Sequence, residues 1–227
     1  MMELITLGSG SSGNCYLLNS EDKTLVIEAG LPFLEVKKAL DFNIDRIVGV
    51  LVTHVHGDHA KYAHEYEKAG IPVWKPYDDK SLRQNKRFGE FTVASFEQKH
   101  NVPCVGYLVT HPDGLKLLYS TDTSYIRYTF HGLTTMLIEA NWSEEYVNRD
   151  EPKYAHVLQH HTSLNTCLEC IKANANPDLS HVILCHLSGG NAYPEAFQKA
   201  AEAVVDVGVT VDIATPGKAV NLDAVPF

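Results

Sequence analysis

Residues 54 to 59 read His54-Val55-His56-Gly57-Asp58-His59 and follow directly on the apolar run Val50-Leu51-Val52. An apolar run of that kind reads as a buried strand. A loop leaving a strand end is where a rigid scaffold can aim several side chains at one point. On an extended backbone His54 and His56 share a side. Gly57 lets the chain turn, so Asp58 and His59 can face the same point from the opposite flank. Neutral imidazole and carboxylate are good ligands for zinc and acceptable to manganese or iron. Three imidazoles and a carboxylate packed together without a cation would leave donors and acceptors unpaired. The segment therefore reads as a metal-binding loop.

Outward from this loop, residues 4–7 form a short apolar run that enters a glycine-serine loop at 8–13. Residues 15–18 and 24–27 are strand-like and are joined by a polar turn. Residues 32–40 predict a helix with Pro32 in its first turn, and 60–69 predict a second, closed by Gly70. Residues 91–96, 107–110 and 116–120 predict strands, with the tight turn Pro112-Asp113-Gly114 between the last two. Strands at 135–138, 182–185 and 210–213 then alternate with helices at 163–173 and 194–205. Meanders followed by alternation argue for an α/β fold in which two mixed β-sheets are sandwiched between helical layers. No linker, repeat or low-complexity stretch interrupts residues 1–227, which read as a single domain.

A composition of 44% hydrophobic and 21% charged residues excludes a disordered tail or fibrous repeat as the main content. The formal net charge is -9. That balance argues against a broad, sequence-independent grip on nucleic acid, which normally needs a Lys/Arg-rich surface. The five cysteines, Cys15, Cys104, Cys167, Cys170 and Cys185, are odd in number and scattered. They predict a reducing, cytoplasmic setting without disulfides. Cys167 and Cys170 form a C-x-x-C, but no second pair completes a four-sulfur site, so two cysteines on one helix face is the plainer reading. Met1-Met2-Glu3 runs into a strand-like segment rather than a signal peptide. No apolar stretch approaches the roughly 20 residues a membrane span requires, so no membrane partner is expected.

The 54–59 segment resembles the H-x-H-x-D-H motif of the metallo-β-lactamase superfamily, and nearly the whole chain supplies similar parts in the order that superfamily uses. Gly8-Ser9-Gly10-Ser11-Ser12-Gly13-Asn14, followed by Cys15-Tyr16-Leu17-Leu18, resembles the start of the YycJ-like exonuclease branch. Lys99-His100-Asn101 with Gly106-Tyr107 resembles the third motif as it occurs in tRNase Z, and Tyr119-Ser120-Thr121-Asp122-Thr123 resembles the fourth. Glu139-Ala140-Asn141 is similar to a segment of the YycJ-like proteins. His161-Thr162-Ser163 is similar to the auxiliary-histidine segment of tRNase Z, and Cys185-His186-Leu187-Ser188 with Asn191 to the fifth motif.

The resemblance implies a four-layer αββα sandwich and two divalent ions, Zn2+ or Mn2+. His54, His56 and His100 would bind one ion, Asp58, His59 and His186 the other, and Asp122 would bridge both. A metal-bound hydroxide would be the nucleophile, because metal binding brings the pKa of water near neutrality. Asp58 and His161 carry the catalytic roles on this reading, His161 binding substrate or donating a proton. Glu28, Gly30 and Ser188 support the site. Where the family usually has aspartate before glycine, this chain has Glu28-Ala29-Gly30, and the extra methylene changes the reach of the carboxylate to the metal loop.

Gly8, Gly10 and Gly13 also satisfy G-x-G-x-x-G, with Glu28 further on, but the segment after Gly13 reads as a strand where a dinucleotide-binding unit needs a helix. The loop reads instead as tight packing near the metal site, with N–H groups available to a phosphate. His64, His111, His131, His156 and His181 read as solvated or packing residues. The chemistry expected is hydrolysis of a phosphodiester, with DNA or RNA as substrate. A small cyclic phosphodiester, thioester or lactone is the alternative, and a nucleic-acid-binding module that keeps the fold is the non-enzymatic one. A homodimer is compatible with the sequence.

Overall fold

The computed structural model describes residues 1–150, 152 and 154–223. The chain opens with β1 (Met2–Gly8), β2 (Cys15–Ser20) and β3 (Lys23–Ile27), which meander antiparallel. Helix α1 (Phe33–Ala39) leads to β4 (Ile47–Leu51), which lies parallel to β3. Short helices α2 (Gly57–Ala60) and α3 (Ala63–Lys68) precede β5 (Val73–Trp74), parallel to β4. A second sheet begins with β6 (Asn85–Phe88), β7 (Phe91–Gln98), β8 (Cys104–Thr110) and β9 (Lys116–Ser120), again antiparallel. It continues in parallel through β10 (Thr135–Glu139), β11 (His181–Cys185) and β12 (Thr210–Ile213). Helices α4 (Tyr154–His160) and α5 (Leu164–Ala173) join β10 to β11, and α6 (Pro194–Glu202) joins β11 to β12. The last strand, β13 (Ala219–Asn221), crosses back to pair with β1.

The period of two along each strand explains why so many strands read as unbroken apolar runs. In β2, Tyr16 and Leu18 enter the core between the sheets, while Leu17 enters the core under α1 and α3. In β10, Leu137 faces between the sheets and Met136 and Ile138 face α5 and α6. In β11, Ile183 and Val182 divide in the same way. Both faces of the central strands are buried, and the result is a four-layer αββα sandwich. A fully buried aliphatic side chain contributes about 1.5–3 kcal/mol, so these three cores carry the fold. Cys167 and Cys170 are buried on one face of α5, and all five cysteines are free thiols.

Several sequence expectations change in detail. The helix expected over 60–69 is two short ones, and the first begins inside the motif at Gly57. Gly57 therefore starts a helix and does not supply a left-handed turn; a Cβ there would meet nothing. Pro32 is the N-cap of α1, one residue before its first turn. Strands β5, β6 and β13 and helix α4 carried too little periodicity to be read, being short or polar. Among the described residues no helix is long and apolar enough to cross a membrane.

Candidate metal centre

The polar residues singled out above converge at the carboxyl ends of strands from both sheets. His54, His56, Asp58 and His59 follow β4 of the first sheet. His100 follows β7, Asp122 follows β9, and His186 follows β11, all of the second sheet. Glu28, Asp122 and His186 each have positive φ, at 69°, 51° and 52°. Three non-glycine residues in this sparsely populated region, each just past a strand end, mark backbone held in place by its surroundings.

The expected ligands form two sets that share Asp122, and Asp122 and His186 also stand in a third group with Glu139 and His161. In the first, His54 Nε2 lies 3.1 Å from His56 Nδ1, which lies 3.2 Å from His100 Nε2. His54 Nε2 also lies 3.2 Å from Asp122 Oδ2. In the second, His59 Nε2 lies 3.1 Å from Asp122 Oδ2 and 3.4 Å from Asp58 Oδ2, and Asp58 Oδ2 lies 3.4 Å from His186 Nε2. Within each set the candidate ligand atoms lie within 4.8 Å of one another. His54 Nε2 carries at most one proton, yet it faces a nitrogen and an oxygen together. Zinc–nitrogen bonds of about 2.0–2.1 Å in a tetrahedral site set neighbouring ligand atoms about 3.3 Å apart. The observed separations fit that spacing, so the residues present suit divalent cations.

The ring atoms turned away from each set are held by the surrounding protein, as metal-binding histidines require. His54 Nδ1 is 2.9 Å from Thr53 Oγ1, and His186 Nδ1 is 3.0 Å from Glu139 Oε1. His59 Nδ1 is 3.1 Å from Glu28 Oε1, an ion-pair contact that does not form a hydrogen bond. Glu28 reaches the loop despite its different length. Its carboxylate accepts from Thr53 Oγ1 at 2.6 Å, Thr53 N at 3.2 Å and the Tyr119 hydroxyl at 3.1 Å. The backbone around Asp58 is stapled too: Asn14 N donates to Asp58 O at 2.7 Å, and Ala29 N to His59 O at 2.7 Å. Gly30 permits that approach, because a Cβ there would sit 1.8 Å from Asp58 O.

Glu139 and Asn141, which the sequence marked only as part of one similar segment and without a role, lie against the candidate centre. Glu139 is fully buried and accepts from His161 Nδ1 at 2.8 Å, His186 Nδ1 at 3.0 Å, Thr162 N at 3.0 Å and Thr123 N at 3.4 Å. Asn141 Nδ2 donates to His186 O at 2.8 Å. A carboxylate closing an apolar strand beside the strands that lead to Asp122 and His186 was the available signal. His161, not His160, makes the bond to Glu139, and its ring stacks on that of His186 at 5.4 Å. Ser163 caps α5, accepting from Thr166 N at 3.1 Å.

The glycine-serine loop lies against the site, although its amides are less available than the sequence suggested. Gly10 N, Gly13 N and Asn14 N are bonded to Asn14 Oδ1, Gly10 O and Asp58 O. Ser9 Oγ instead accepts from His186 N at 2.9 Å. Ser188 N donates to Asn141 O, and its hydroxyl accepts from Asn191 Nδ2 at 3.0 Å. His156, read from sequence as solvated or packing, is exposed on the cavity wall, whereas His111 and His181 are buried away from it. The cavity, about 360 Å³, is lined by His56, Asp58, His100, Asp122, His161 and His186, among others.

The charges sort the histidines. Burial, with the nearby His54 ring, pushes His100 down to about 3. Burial and the charge of His59 lower His54 as well, and the unprotonated state is the one that binds metal. Burial also opposes charge on His161, but Glu139 and Asp122 outweigh it and lift the ring to about 10. His186 is lifted to about 9 against the same burial, by Asp122, Asp58 and Glu139. Asp122 is held well below the usual carboxylate range, because His186 and His59 outweigh its burial.

Known proteins share this fold. Residues 8–124 match the family described as the metallo-beta-lactamase superfamily. The exodeoxyribonuclease YycJ of Bacillus anthracis is 26% identical, over 88% of this chain and 88% of its own. The crystal structure of the metallo-beta-lactamase fold protein YhfI from Bacillus subtilis superposes with a TM-score of 0.75 at 18% identity, over 97% of this chain and all 100% of that one. The short form of human tRNase Z superposes with a TM-score of 0.65 at 13% identity, covering 97% of this chain and 99% of that one.

Proposed function

The chain belongs to the metallo-β-lactamase superfamily, and from that premise we propose that it is a metal-dependent phosphodiester hydrolase acting on DNA or RNA. The observation that carries the reading is the pair of ligand sets sharing Asp122, with the Glu139–His161 pair beside them on one cavity. His54, His56, His100 and Asp122 would hold one divalent ion, and Asp58, His59, His186 and Asp122 the other, either Zn2+ or Mn2+. Ions held there supply charge stabilisation at a phosphoryl oxygen and a water acidic enough to attack near neutral pH. Asp122 Oδ2 faces His54 and His59 at 3.2 and 3.1 Å, which suits it to a position common to both sets. Glu139 fixes the His161 ring through Nδ1 and stabilises its protonated form, leaving the proton on Nε2 for the leaving oxygen. Glu28, Gly30 and Ser188 hold the backbone and rings in place. The relatedness to an exodeoxyribonuclease over most of the chain supports a nucleic-acid substrate.

The net charge of -9 favours a second reading, a small cyclic or dinucleotide phosphodiester. One panel separates the two. Single-stranded and duplex DNA, RNA, cyclic phosphates and a thioester are offered to zinc- and manganese-loaded protein, and metal content is measured alongside. Turnover of the oligonucleotides is the expected result. Turnover of the thioester alone, or of nothing by fully metal-loaded protein, would overturn the proposal.

A further inference from the structure

We propose that the surface leading away from Asp122 along residues 123–130 is a track for single-stranded nucleic acid, with Arg83, Lys99 and Arg127 gripping phosphates and Tyr125 stacking a base; this rests on the nucleic-acid reading above. The segment leaves the metal centre directly, and its backbone is fixed. Thr123 O accepts from Thr162 Oγ1 at 2.6 Å, Ile126 is buried, and Phe130 N donates to Asn174 Oδ1 at 2.6 Å. Between those anchors the alternate side chains of Tyr125, Arg127 and Thr129 face solvent. At no more than about 3.6 Å per residue, Tyr125 lies within about 11 Å and Arg127 within about 18 Å of Asp122 along the chain.

Tyr125 is 60% exposed, a large ring left uncovered three residues from the centre. Tyr128 is braced by Phe96 at 5.6 Å, and the Arg83 guanidinium lies 5.3 Å from its ring centre. Arg83 Nη2 also donates to the Tyr128 hydroxyl at 2.6 Å, which orders the guanidinium and leaves its other N–H groups to a phosphate. Lys99, also exposed, precedes His100 at the cavity. Among the described residues the Lys and Arg ion pairs involve Lys23, Lys38, Lys75 and Lys218, so Arg83, Lys99 and Arg127 have no carboxylate within 4.0 Å. Arg83 at Tyr128, its chain neighbour Arg127, and Lys99 beside His100 are unneutralised cations of an acidic chain, and they complement a polyanion locally where the net charge would repel it. The exposed Tyr125 ring, two residues before Arg127, suits an unpaired base, whose face a duplex would hide.

The test uses metal-loaded protein and fluorescein-labelled phosphorothioate oligothymidylate or oligouridylate of about twelve nucleotides, followed by anisotropy across a salt series. Each phosphate contact to a single strand contributes about 0.7 to the slope of log affinity against log salt. Arg83→Gln with Arg127→Gln should therefore weaken binding at least about ten-fold and flatten that slope by about 1.4. Tyr125→Ala should weaken binding about ten-fold and leave the slope as it was. Lys23→Gln with Lys38→Gln removes the same charge elsewhere and should match the wild type in both respects. Wild-type affinity and slope in the arginine and tyrosine variants would overturn the track while leaving the nuclease reading intact. Failure of the unmodified protein to bind or cut any oligonucleotide would remove that reading, and the track with it.

Discussion

Shortening Glu28 to the family's usual residue, Glu28→Asp, should weaken the centre. Two effects oppose each other. Glu28 sits at φ 69°, a region that aspartate tolerates better than glutamate, so the backbone gains about 1 kcal/mol at most. Against this, the carboxylate withdraws by about one carbon–carbon bond, roughly 1.5 Å on the backbone scale. Its contacts to Thr53 Oγ1 at 2.6 Å, Thr53 N at 3.2 Å, Tyr119 OH at 3.1 Å and His59 Nδ1 at 3.1 Å cannot all survive that shift. A buried hydrogen bond to a charged group contributes about 1.5–3 kcal/mol, so losing two costs about 3–6 kcal/mol. The loss outweighs the backbone gain, for a net destabilisation of about 2–6 kcal/mol. Loosening His59 should also lower metal affinity about 10–100-fold, the usual effect of removing a partner from a ligand. Chelator competition measures the affinity and calorimetry the melting temperature. Unchanged values for both would refute the claim that the reach of this glutamate positions His59.

Other perturbations address the remaining parts. Asp122→Ala should abolish turnover and lower metal content, because both ligand sets include that residue; elemental analysis with a diester assay checks both. His161→Ala should lower turnover by about 10²–10⁴-fold, the range of general acid–base catalysis, while metal content stays near wild type; loss of the metal would show that its role was misassigned. Gly30→Ala places a methyl group 1.8 Å from Asp58 O and 2.6 Å from Asn14 N. It should cost several kcal/mol, on the order of the larger overpacking effects, and deplete metal together with activity, as thermal melts and metal analysis would report.

The motif after β4 was legible because its residue types have no comfortable apolar use, and the strands around it were legible because most are long and apolar. His100, Asp122 and His186 were placed by their resemblance to later motifs of the same family. Glu139 entered only within a segment similar to the YycJ-like proteins, with no role attached, although it is the carboxylate that contacts both His161 and His186. Its signal was weak for a physical reason: one acid at the end of an apolar strand is also a common way to end a strand at solvent, and only the third dimension shows it buried. The short edge strands were lost similarly. Asn85, Lys86 and Arg87 of β6 are exposed and polar, so their strand conformation comes from pairing with β7 and not from their own pattern. The glycine-serine loop satisfied a nucleotide-binding spacing, yet β2 follows it where that motif requires a helix.

Each candidate ligand set draws from both sheets: His54, His56 and His59 stand on one layer, and His100, Asp122 and His186 on the other. A cation in either set would act as a clasp, fastening the two layers at the rim where polar groups replace the greasy filling.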